Sequence, residues 1–293
     1  MTSAGPAIAH IGLLCDDIES VVSTWNILFG LSGPVPAPWF AAEEGVLTTN
    51  LPIPGCGLEP LQPIVRSTAQ WTQLRAGRRP FHLSLQVDDL SGEVERLRRA
   101  GLLIRVRKAG RVVTLRRAWL DPDECAGITV ELLDAGEVEQ FRSMPAKAPD
   151  RTEQRPAGSA LDWRVTRALA VGHTVRSITE AVRFYRMLGF TLVNQGRRPR
   201  AGWSARQQVT AASGAPVELV ARPPGTRWPA GLSHLTLAVD DLHAAWRWLD
   251  AQEAWLARTP AQGDRPAMVR VDARSTHGLD VFLVAEDDAG QSV

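Results

Sequence analysis

Three histidines in this sequence open nearly the same phrase. His10 begins "HIGLLCDDIESVV", His82 begins "HLSLQVDDLSGEV" and His234 begins "HLTLAVDDLHAAW". Neutral imidazoles ligate divalent metals, and they titrate near neutrality. The alternation of apolar residues after each histidine is that of a strand, in which successive side chains face opposite ways. Leu83, Leu85 and Val87 then make one apolar face, suited to cover a helix, while His82, Ser84 and Gln86 point to the other. The same parity puts His10, Gly12 and Leu14 on the inner face of their strand. In "GITVELL", Ile128, Val130 and Leu132 face a helix, and Thr129, Glu131 and Leu133 face inward. Two imidazoles and one carboxylate on inner faces are a sound set for a divalent ion with open coordination positions.

What must position them is a repeated unit. After each phrase an Asp stands at the turn, or a Ser in a fourth and weaker copy, "AVGHTVRSITEAV" from Ala170. Such a side chain is a natural N-cap, because its oxygen accepts from the open N–H groups of the first helical turn. The helices then keep apolar residues at helical spacing: Ile18, Val21, Val22 and Trp25 in the first, Leu90, Val94 and Leu97 in the second. Strand-like segments follow every helix. The unit is therefore strand, helix and about three strands, and it occurs four times. A polar segment rich in Pro, Ala and charge separates the second unit from the third. The expected organisation is a domain over residues 1–137, a linker over 138–162 and a second domain over 163–293.

Bulk properties narrow the class. The chain has 293 residues, 44% hydrophobic and 22% charged, ordinary for a globular protein with real cores. Its net charge is +1, from 33 basic and 32 acidic residues, which gives no reason to expect nucleic acid as a partner. Three cysteines, Cys15, Cys56 and Cys125, show no CxxC spacing and form no disulfide framework. The N-terminus does not read as a signal peptide, and no apolar run is long enough to span a membrane. A reduced, cytoplasmic protein acting on a small molecule is expected.

These phrases resemble the vicinal oxygen chelate superfamily, the glyoxalase/bleomycin-resistance fold. The front half is most similar to the methylmalonyl-CoA epimerases, through "IAHIGLLCDDIES", "LEPLQP", "FHLSLQVDDL" and "AWLDPDECAGITVELLD". The resemblance implies an α+β fold of two tandem vicinal oxygen chelate domains. Each would be a pair of βαβββ units curled into an incomplete barrel around a metal or ligand, and a homodimer is compatible with it. It implies His10, His82 and Glu131 as ligands of a divalent metal ion (Zn, Mn, Co, Ni, Mg or Fe) and Glu131 as part of the catalytic machinery. A fourth ligand is expected where this chain has Cys56, which either ligates as a thiolate or packs as a small buried residue. The family's catalytic Glu falls at Thr48, a poor base; Glu43, Glu44 and Glu59 are possible substitutes that the sequence does not place. Ser84, Trp39 and Trp119 are the candidate substrate contacts; ordinary packing suits Trp39 better, and Trp119 suits the cavity and the core equally.

The rear half departs from this pattern. Ala170, Leu219 and Phe282 take the places of His10, Cys56 and Glu131, leaving His234, while His173 falls on the opposite parity and reads as a core histidine. The leading functional expectation is a metal-dependent epimerase, isomerase or lyase that polarises a carbonyl and passes through an enolate-like intermediate. Alternatives are a metal-free, drug-sequestering binding protein of the bleomycin-resistance type, and an extradiol-type dioxygenase.

Overall fold

A computed structural model describes residues 5–31, 35–109, 115–136, 138, 161–193, 206–210, 214–222, 230–259 and 268–289. The expected linker, apart from residues 138, 161 and 162, lies outside them.

Each half of the chain forms one eight-stranded sheet with helices. In the front half, β1 (Ala7–Leu14) leads into α1 (Ile18–Phe29) and then β2 (Trp39–Ala41), β3 (Val46–Thr48) and β4 (Gly57–Pro63). A short helix, α2 (Ala69–Arg75), connects to the second unit: β5 (Pro80–Val87), α3 (Leu90–Arg99), β6 (Ile104–Ala109), β7 (Leu115–Leu120) and β8 (Thr129–Asp134). The strand order is β2-β3-β4-β1-β5-β8-β7-β6. The rear half repeats it with β9 (Val165–Val175), α4 (Ile178–Met187), β10 (Thr191–Val193), β11 (Arg206–Thr210) and β12 (Val217–Ala221), followed by β13 (Gly231–Val239), α5 (Leu242–Ala251), β14 (Leu256–Thr259), β15 (Met268–Val271) and β16 (Asp280–Ala285). Its order, β10-β11-β12-β9-β13-β16-β15-β14, is that of the front sheet strand for strand. This is the expected α+β architecture of paired βαβββ units. Among the described residues, no helix is long and apolar enough to cross a membrane.

Local chemistry explains the units. Asp17, Asp89, Ser177 and Asp241 cap α1, α3, α4 and α5, each accepting from a backbone N–H of the first turn. Gly30 ends α1 in the left-handed region at φ 60°, where a Cβ would be strained. The apolar parity holds as well: Leu83, Leu85, Val130 and Leu132 are fully buried, as are their rear counterparts Leu235, Leu237, Val281 and Leu283. Leu90, Val94 and Leu97 of α3 are buried too. Val22 is only half-buried, so the inward stripe of α1 runs through Ile18, Val21, Trp25, Leu28 and Phe29 instead.

Tertiary contacts group the chain differently from the sheets. One compact unit comprises residues 1–12, 80–142 and 169–235, and the other 13–79, 143–168 and 236–293. Within the first, the Arg96 guanidinium donates to Met187 O at 2.6 Å, and His173 Nε2 lies 3.2 Å from Ala126 O. Within the second, Trp248 Nε1 donates to Ile27 O at 2.9 Å.

His173 is fully buried, with Nδ1 3.1 Å from the Tyr185 hydroxyl. Burial lowers its pKa from 6.5 to about 4, with the Ala126 carbonyl partly opposing. The neutral ring is therefore the native form, and the unfolded chain takes up a proton first as pH falls. Stability from this group is complete above pH 6.5 and is lost as pH drops toward about 4. Urea unfolding across that window is expected to lose about 3 kcal/mol through His173. A His173→Gln variant should show a correspondingly flatter pH dependence; parallel curves for the two proteins contradict this account.

Candidate metal centre

Four adjacent strands of the front sheet, β4, β1, β5 and β8, each contribute one donor: Glu59, His10, His82 and Glu131. In a flat sheet the outer two strands would stand about 14 Å apart. Their donor atoms nevertheless all lie within 4.8 Å of one another. Sheet curl achieves this, turning the inner faces of the four strands toward one point. His10 Nε2 and His82 Nε2 are 3.1 Å apart, and Glu131 Oε2 lies 3.3 Å from the first and 3.6 Å from the second. All four residues are buried.

The packing that seats His82 begins at Gly12. A Cβ there would sit 2.3 Å from His82 Cε1 and Nδ1, so only glycine leaves space for the imidazole. Trp119 backs the same ring from β7, edge to face at 5.2 Å between centroids. Ser84 stands opposite Glu131 in the β5–β8 ladder, and its buried Oγ finds no hydrogen-bond partner among the described residues. On the other side, Thr48 Oγ1 lies 2.9 Å from Pro60 O and 3.1 Å from Glu59 Oε1, so its single proton is available to both.

Arg117 completes the electrostatics. It is buried, two residues before Trp119 on the same strand face, and its Nη1 donates to Glu131 Oε1 at 3.0 Å. Burial pushes the Glu131 carboxyl up. The guanidinium and the two imidazoles outweigh it and hold the group down at about 2. Glu131 thus stays ionised, with Oε1 turned to Arg117 and Oε2 to the imidazoles.

The donor set fits a divalent ion. With metal–ligand bonds of about 2.0–2.2 Å, neighbouring donors on one ion stand about 3.0–3.4 Å apart. The 3.1, 3.3 and 3.6 Å separations lie at or close to those edges. Two imidazoles and two carboxylates suit borderline and hard divalent metals alike.

His10, His82 and Glu131 are therefore brought together. Cys56 is not in the donor group; its Sγ is directed to Gly57 O at 3.5 Å. The reason is register. The turn through Gly55, at φ 84°, delays the strand until Gly57, and Glu59 is the next residue facing the cluster. Gln62, of opposite parity to Glu59, accepts from Ile18 N on the helix side. Thr48 stands beside Glu59, its hydroxyl 3.1 Å from Oε1. Trp39 pairs with Thr48 across β2–β3 and is half-buried. Sequence reasoning left Glu59 unplaced and passed over Arg117; the parity shared with Trp119 was the available signal for the latter.

The rear sheet keeps half of this arrangement. His234 Nε2 lies 3.0 Å from Glu218 Oε2, and a Cβ at Gly172 would meet the His234 ring at 2.0 Å. Glu218 pairs with Gly172 across β12–β9, whereas Leu219 pairs with His173. The inward residue of β12 is thus Glu218, which corrects the expectation that His234 alone survives. Ala170 and Phe282 stand where the front sheet has His10 and Glu131.

A four-donor cluster on a sheet of paired βαβββ units is the arrangement that the resemblance to the vicinal oxygen chelate fold led one to expect. Residues 168–290 match the family described as the Glyoxalase/Bleomycin resistance protein/Dioxygenase superfamily, and the front sheet repeats the strand order of that matched half. Over nearly its whole length the chain is similar to a hypothetical protein from Staphylococcus aureus, with TM-score 0.58 and 7% identity, covering 96% of this chain and 99% of the other. A methylmalonyl-CoA epimerase in complex with methylmalonyl-CoA is 23% identical with TM-score 0.41, covering 45% of this chain and 95% of that one. The corresponding enzyme from Mycobacterium tuberculosis is 19% identical with TM-score 0.41, covering 46% and 91%. No curated protein matches the chain by sequence.

Gly12→Ala is expected to displace His82 and weaken Co²⁺ binding at least about tenfold, while Gly172→Ala leaves Co²⁺ affinity unchanged. Thr48→Val, which frees Glu59 to turn, should cost about tenfold. Calorimetric titration of the folded variants checks all three, and equal effects of the two glycine changes contradict the assignment.

Proposed function

We propose that this chain is a divalent-metal-dependent enzyme acting on a small oxygen-rich molecule, an epimerase, isomerase or lyase that moves a proton beside a carbonyl. The observation carrying the reading is the buried convergence of His10, Glu59, His82 and Glu131. A divalent ion, when bound there, supplies Lewis-acid polarisation of a carbonyl oxygen. The chain's own residues orient and protect. Trp119 and the buried sheet face exclude water, and Thr48 fixes the rotamer of Glu59. Arg117 keeps Glu131 ionised and makes it a weak base. Glu59, the other carboxylate of the cluster, is then the group proposed to take the substrate's proton. A reducing, cytoplasmic setting agrees with three buried cysteines that form no disulfide.

One observation favours the metal-free binding alternative: the Arg117–Glu131 ion pair at 3.0 Å already balances one carboxylate. The second carboxylate, Glu59, counts against it, because two imidazoles and two carboxylates converging in one buried space are a donor set that divalent ions take. It also counts against a dioxygenase, whose usual ligand face is two histidines and a single carboxylate.

Elemental analysis of protein purified without chelator is expected to find about one divalent ion per chain. His82→Ala should lose it, and absence of metal from the parent protein selects the binder. For the reaction class, incubation of candidate 2-oxo acids or acyl thioesters in D₂O should place deuterium on the carbon beside the carbonyl. Oxygen uptake with iron bound points instead to the dioxygenase.

A further inference from the structure

Arg117 is the member of the centre that the repeated unit does not account for. It lies opposite Leu133 in the β7–β8 ladder, and the matching position of the rear sheet, opposite Val284, holds Met268. It is buried at 6% exposure, with Nη1 3.0 Å from Glu131 Oε1. A guanidinium cannot shed its proton near neutral pH. Its charge is therefore a permanent part of the site.

Resting on the metal-dependent reading, the charge balance of the loaded site follows. Two carboxylates face one guanidinium and one divalent ion, and neutral imidazoles add nothing. One positive charge remains in a buried space, where an unbalanced charge is costly. A neutral ligand leaves that excess in place, while a carboxylate cancels it. We infer that Arg117 is a specificity-determining residue: it sets the loaded centre one charge positive, and so selects substrates that carry a carboxylate within chelating distance of the reacting carbonyl, as 2-oxo acids do. The same charge repels the metal ion. Removing it therefore has two effects of opposite sign, tighter metal and weaker carboxylate. Loss of packing alone weakens both.

The test uses the full-length protein, with Co²⁺ as the metal probe. Pyruvate is the anionic ligand, and pyruvamide its neutral counterpart with a similar oxygen arrangement. Calorimetry should show Arg117→Gln binding Co²⁺ about tenfold tighter than the parent and, once loaded, binding pyruvate about tenfold more weakly; each is about 1.4 kcal/mol. Pyruvamide affinity should stay within about twofold, and Arg117→Lys, which keeps the charge, should track the parent in every titration. Arg117→Met replaces Arg117→Gln if the latter fails to fold. The inference is overturned if the uncharged variant binds Co²⁺ no more tightly, if it loses pyruvate and pyruvamide alike, or if the loaded parent does not prefer pyruvate. Failure of both parent and variant to bind Co²⁺ overturns the metal-dependent reading itself, and this inference with it.

Discussion

Two carboxylates buried side by side are the constraint on which this structure turns. Glu59 and Glu131 are at most 3% exposed, and each charge taken out of water costs several kcal/mol unless it is balanced at close range. The surrounding groups answer that cost. Arg117 takes one oxygen of Glu131, His10 and His82 face the other, and Thr48 reaches Glu59. The donor atoms all lie within 4.8 Å of one another, closer than independent polar groups in a wet cavity would converge.

The fold's contribution is to bring four neighbouring strands to one point. A strand–helix–strands unit, copied four times, pairs its members so that β1 meets β5 in one sheet and β9 meets β13 in the other. In each sheet a glycine on the first central strand opens the space that a histidine on the second fills, Gly12 beneath His82 and Gly172 beneath His234. The histidine pocket thus belongs to the unit itself, and chemistry depends on what else is placed around it. The front sheet adds a second imidazole, a second carboxylate and a guanidinium. The rear sheet has Ala170 and Phe282 at two of those places, and retains a His–Glu pair at 3.0 Å.

Much of this was legible from residue pattern. The caps at Asp17, Asp89, Ser177 and Asp241 follow from local hydrogen bonding, which depends on a few consecutive residues. The inward parity of His10, His82 and Glu131 follows from strict alternation within long, regular strands. The reading failed where regularity did. Cys56 lies in a Gly- and Pro-rich turn where alternation has no phase, and with the strand's late start at Gly57 it is Glu59 that faces the cluster. Arg117 was overlooked because an arginine in a basic strand looks solvated until its partner is known, and that partner is on the neighbouring strand.

Sequence alone determined the unit, its fourfold repetition, the apolar faces and the three donors whose strands are regular, because each of these depends on periodicity and near-neighbour chemistry. Tertiary structure decided which side chains share one volume. Whether Glu59 replaces Cys56, whether Arg117 meets Glu131, and whether donors from four strands close to within 4.8 Å depend on register and curl. Both come from the packing of strands far apart along the chain, and no local pattern of residues specifies them.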